Sequence, residues 1–102
     1  MTIHATASWD GQSPMSEEVL ADIVDTVVAN RHEVNGMVFY APPAFGIFSA
    51  TDNMAYNCMR LLDRCKPTPT EKEVRQFFSG FSVDQQNSAL EIIRRVLSKE
   101  SQ

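Results

Sequence analysis

The chain predicts a single α+β domain over residues 1–102, mostly helical, with four helices and a short β segment or hairpin. Three observations carry that prediction. Val19, Leu20, Ile23, Val24, Val27 and Val28 recur at helical spacing and form one apolar stripe. Thr70-Glu-Lys-Glu73 and Ser82-Val-Asp-Gln85 both have the form of a capping box, each opening a new apolar repeat. Between these lies Gly36–Ala50, an uncharged run with Phe39, Tyr40, Phe45 and Phe48, broken by Pro42 and Pro43. Proline removes a backbone donor and fixes φ, so that run is neither one long helix nor one long strand.

The elements follow in chain order. Ile3, Ala5, Ala7 and Trp9 alternate with His4, Thr6 and Ser8, a period of two that predicts a short N-terminal strand. A helix is expected over 14–31, opened by Ser13 with Pro14 in its first turn, or by Ser16 with Glu17 and Glu18 following. Asp22 and Asp25 fall on its outer face. Asn35-Gly36 supplies a left-handed stop. Met37–Ala41 and Phe45–Ser49 read as two β segments, pairing as a hairpin near 37–49 or running as an irregular loop. Thr51 or Asp52 caps a second helix over 52–65, with Met54, Cys58, Leu61, Leu62 and Cys65 inward. After the stiff Lys66–Thr70 linker, a third helix covers 71–79 with Val74, Phe77 and Phe78. Gly80 ends it. The last helix covers 83–99 with Ala89, Leu90, Ile93, Val96 and Leu97 inward.

Charge narrows the function classes. The net charge is −4, with residues 1–53 holding seven acids against Arg31 alone and residues 54–102 holding eight bases against six acids. Net acidity disfavours a binder whose affinity comes from neutralising phosphates. No basic start with an apolar core marks a signal peptide, and no apolar run is long enough to span a bilayer. Cys58 and Cys65 sit two helical turns apart, about 10.5 Å along the axis, too far for a disulfide. Reduced cysteines fit a cytoplasmic protein.

Catalytic signatures are missing from the pattern. His4 and His32 are the only histidines, and neither neighbours a Ser or Cys in sequence as a nucleophile would need. No metal-ligand spacing and no glycine-rich phosphate loop occur, so neither a metal nor a cofactor is expected. The reading is therefore non-enzymatic. Two alternatives stay open. One is a small DNA-binding regulator with a degenerate helix-turn-helix around Gly80, contacting phosphate through Arg94 and Arg95. The other is a small-molecule-binding α+β module with a pocket near Trp9, Tyr40 and Phe48.

The leading reading is a protein-interaction module, because the apolar stripes and aromatic clusters exceed what one small core needs. Tyr40, Phe45, Ile47 and Phe48 are the expected partner-binding anchors, since a proline-kinked segment leaves them hardest to bury locally. Met37, Met54 and Met59 suit an adaptable surface or a core. Taken together, Met1-Thr-Ile-His-Ala-Thr-Ala-Ser-Trp-Asp10, Met37-Val-Phe-Tyr-Ala-Pro-Pro43 and Phe77-Phe-Ser-Gly-Phe81 resemble the small quorum-sensing antiactivators of pseudomonads. That resemblance implies a cytoplasmic homodimer that binds the ligand-binding domain of a LuxR-type (LasR-like) transcriptional activator. Binding would block the activator's dimerisation and keep it off DNA. It implies no catalytic, cofactor or metal residues, and no nucleic-acid or membrane partner.

Overall fold

Why the first helix stops where it does decides most of the architecture. In the computed structural model, which describes residues 4–41, 49–64 and 68–100, α1 spans Glu17–Ala29. Ser16 caps its start, its hydroxyl accepting from Val19 N–H at 3.2 Å, and Glu17 and Glu18 complement the positive end. Asn30 closes the other end. It is fully buried, its side-chain amide donates to the Thr26 carbonyl at 2.9 Å, and its own carbonyl accepts from Ala41 N–H at 3.0 Å. The chain therefore leaves helical geometry about two residues earlier than the expected 31.

That early exit frees a strand. β1 (Arg31–Val34) pairs antiparallel with β2 (Met37–Tyr40), with Arg31 opposite Tyr40 and Val34 opposite Met37. Asn35 and Gly36 make the turn with φ of 54° and 79°. Positive φ at both central residues suits a tight hairpin turn, for which Asn-Gly is the preferred pair. This hairpin is a different one from the expected pairing of Met37–Ala41 with Phe45–Ser49: its turn is Asn35-Gly36 and its first strand lies before that turn. The expected second segment, 45–49, lies outside the described residues except for Ser49.

α2 (Ala50–Arg64), α3 (Glu71–Phe77) and α4 (Val83–Glu100) complete the four helices and one hairpin of the described residues. Ser49, rather than Thr51 or Asp52, caps α2, accepting from Asp52 N–H at 3.1 Å. Thr70 and Glu73 form the full capping box at α3. At α4 only half of the expected box exists. Ser82 accepts from Gln85 N–H at 3.2 Å, while the Gln85 side chain donates instead to the Gly11 carbonyl.

The core lies where α1, α2 and α4 meet. Ile23, Val24 and Val27 face Met54, Cys58, Met59 and Leu61, and Ile92 and Val96 close the third side. α3 and the turn after it add Val74 and Phe78, the latter fully buried with the rings of Phe77 and Phe81 at 5.4 and 5.1 Å. Burying each such side chain is worth about 1.5–3 kcal/mol. Across the surface, Arg95 joins Glu17 and Lys99 joins Asp25, so α1 and α4 are clasped by opposite charges. Glu91 also holds Arg95, at 2.7 Å.

Residues 4–9 are not a strand. They pair with no strand among the described residues; side chains bind their backbone instead. Ala5 N–H donates to Asp52 at 2.8 Å, Thr6 and Ala7 N–H both donate to Asp22 at 2.9 Å, and Thr51 donates to the Ala7 carbonyl at 2.9 Å. Carboxylates thus take the donors a neighbouring strand would have taken. Asp22, expected on an outward face, is one of the clamps, and the buried Asp52 is the other.

Candidate functional site

Directly opposed residues of an antiparallel pair share a face, and successive residues alternate faces. The register therefore sorts the hairpin into two sets. Arg31, Tyr40, Glu33 and Val38 stand on one face, and His32, Phe39, Val34 and Met37 on the other.

The first face is the inner one. Val38 packs against the core, and Tyr40 is 7 % exposed. The Tyr40 hydroxyl donates to Glu100 at the end of α4. Arg31 Nε lies 3.3 Å from the same carboxylate, close enough for ion pairing though not aligned for a hydrogen bond. Burial, followed by the bond to Glu100 and its charge, raises the phenol above its ordinary range. The base of the hairpin is thus tied to the C-terminal turn of α4.

The second face points to solvent. Val34 is 51 %, Met37 67 % and Phe39 40 % exposed, and the His32 ring stacks on Phe39 at 5.3 Å. Val83, alone at the start of α4, is the remaining large exposed apolar residue among those described. Isolated exposure of that kind is ordinary. Three such residues side by side on a two-stranded ribbon form a patch, and patches of this sort mark contact surfaces.

Of the expected anchors, Tyr40 belongs to the inner face and the core, while Phe45, Ile47 and Phe48 lie outside the described residues. Met54 and Met59 are core residues; Met37 is the exposed one. The residues that reasoning from the sequence missed are His32, Val34 and Phe39. The signal for them was Asn35-Gly36 flanked by His32-x-Val34 and Met37-x-Phe39, a hairpin pattern read instead as a helix stop.

Elsewhere several titratable groups are engaged structurally. Cys58 is fully buried, and burial pushes its thiol up to about 12, so it carries no thiolate at neutral pH. Cys65 lies outside the described residues. His4 contacts Asp52 at 3.3 Å. Among the described residues no three His, Cys, Asp or Glu side chains gather as a metal site, and no helix is long and apolar enough to cross a membrane. Arg95, one of the two candidate phosphate contacts, is held bidentately by Glu17 at 2.6 and 2.9 Å, and Arg94 contacts Glu91 at 2.8 Å. No family model matches the chain, and neither a curated protein nor a solved structure is found to be similar to it.

Proposed function

We propose that the chain is a cytoplasmic, non-enzymatic antiactivator that works by protein–protein contact. In this reading the outer hairpin face docks on the ligand-binding domain of a LuxR-type (LasR-like) activator. The contact covers the activator's dimerisation surface, and a regulator that binds a palindromic site as a dimer then loses DNA. The observation that carries the proposal is the solvent-facing set Val34, Met37 and Phe39 on a ribbon whose opposite face is locked into the core. Support for the partner class comes from the resemblance of three sequence runs to the pseudomonad antiactivators.

A standard interface buries about 800 Å² per partner, more than three side chains supply. Phe45, Ile47 and Phe48, which follow β2 in sequence, are the further anchors of this proposal, together with a second copy of the chain in a homodimer. Light scattering behind size exclusion, on the protein alone and mixed with the ligand-binding domain of a LuxR-type activator, tests it. The expected result is a mixed peak in which the activator domain is no longer dimeric. An unchanged activator dimer beside the protein at its own mass overturns it.

A further inference from the structure

α2 carries two arginines whose charge no carboxylate among the described residues answers. Arg31, Arg75, Arg94 and Arg95 each lie within ion-pair distance of an acid. Arg60 and Arg64 have no such partner among the described residues, and both are exposed. Spaced i,i+4, they stand side by side on one face of the helix. Aromatic rings hold them there. The Arg60 guanidinium carbon is 5.7 Å from the centre of the Tyr56 ring and 5.8 Å from that of Phe77, and Arg64 is 5.9 Å from the same Phe77 ring. Phe77 is thus approached by two cations.

A guanidinium held over a ring by cation–π attraction still carries its planar fork of N–H donors, which matches a carboxylate. That hold also reduces the freedom lost when a ligand arrives. Beside the pair runs a groove between α2 and α3, lined by Leu61, Arg64, Glu73, Gln76 and Phe77. Positive charge on one side and apolar wall on the other define what fits.

We infer that this groove is a docking site for an acidic peptide segment of a partner protein. Its carboxylates bond Arg60 and Arg64, and an apolar side chain beside them lies against Leu61 and Phe77. A nucleic-acid strand fits less well, because the groove offers two adjacent cations beside an apolar wall rather than the continuous row of cations that a phosphate backbone recruits. A second copy's α1 offers only Glu18 as an acid not already engaged among the described residues, one charge against two arginines. Glu17 is committed to Arg95, Asp25 to Lys99, and Asp22 to the backbone of Thr6 and Ala7. The site shares no residue with the hairpin face, so it stands or falls independently of the antiactivator reading.

The test is fluorescence anisotropy at low salt with a fluorescein-labelled peptide of repeating Glu-Glu-Leu, run beside labelled oligo-dT of matched charge. The peptide should bind saturably, and Arg60→Ala/Arg64→Ala should weaken it by about tenfold or more. Arg60→Lys/Arg64→Lys, which keeps charge but loses the fork, should fall between that variant and the unmodified chain. Arg94→Ala, an arginine removed elsewhere, should leave binding unchanged. Absence of saturable peptide binding, equal weakening by Arg94→Ala, or tighter binding of oligo-dT than of peptide would each overturn the inference. Thermal unfolding of the double variants at the unmodified temperature keeps the comparison clean.

Discussion

Val38 and Tyr40 alternate with Met37 and Phe39 along a single strand, yet the two pairs meet opposite surroundings. The first pair is packed on α2 and tied to Glu100, while the second is open to water. The inner pair's contacts hold the ribbon at a fixed place on the core, and that fixity is what makes the outer pair usable. A patch on a ribbon already ordered by its own fold loses little freedom when a partner covers it. Structure and proposed function are thus separated by one residue step, and substitutions on alternate positions should separate them experimentally.

The largest expected effect is on the inner face. Tyr40→Ala removes a buried ring and leaves Glu100 beside Arg31 without its phenol donor, so unfolding in urea should show a loss of about 3–5 kcal/mol. A loss below about 0.5 kcal/mol, the range of ordinary surface substitutions, would mean the ribbon is not anchored there. Tyr40→Phe keeps the ring and removes only the hydroxyl. Its cost should be about 1.5–3 kcal/mol, the usual value for a hydrogen bond to a charged group.

The same phenol gives a pH signature. Its folded value lies above the ordinary 10.0, so the folded state keeps a proton that the unfolded chain releases. Stability from this group is complete below about pH 10 and declines as pH rises beyond it. Unfolding midpoints measured across that range should fall for the unmodified chain and fall less for Tyr40→Phe. Equal slopes would place the alkaline sensitivity elsewhere.

A smaller effect belongs to the turn that sets the alternation. Gly36→Ala puts a Cβ at φ 79°, although no atom lies within 4 Å of it, so the cost is conformational alone, about 1–2 kcal/mol. Gly11→Ala at φ 84° adds a real contact, its Cβ meeting that of Ala50 at 3.0 Å, and should cost more than Gly36→Ala in the same denaturation series. The reverse order would show that the Gly11 loop yields easily.

The turn also explains which parts of the fold were legible in the sequence. Helices announced themselves because an apolar stripe and a cap act within a few residues: Ser16, Thr70 and the stripe from Val19 to Val28 did what local chemistry requires. Asn35-Gly36 was ambiguous because a helix stop and a tight hairpin both call for positive φ. Asn30 resolves it by closing α1 through Thr26, a choice that depends on its burial and on Ala41. The N-terminal alternation finds no strand partner among the described residues. Its backbone donors go to Asp52 and Asp22, 47 and 16 residues away for Ala5 and Thr6, and spacing alone does not reveal such pairings. Nothing in the spacing sets the face of Tyr40 apart from that of Phe39, since without the register the two faces of β2 look alike.

The smallest effect on stability should accompany the largest on binding. Phe39 and Met37 are exposed, so Phe39→Ala with Met37→Ala should change stability by no more than about 0.5 kcal/mol. If the outer face is the contact surface, aromatic truncation at its centre should weaken binding to a LuxR-type ligand-binding domain by about 2 kcal/mol, the threshold of a hot spot. Titration calorimetry on the two proteins reads this directly. Binding retained at full strength would move the contact off the hairpin. Loss of stability instead would mean that His32 and Phe39, stacked at 5.3 Å, hold the ribbon together from outside, making the outer face structural as well.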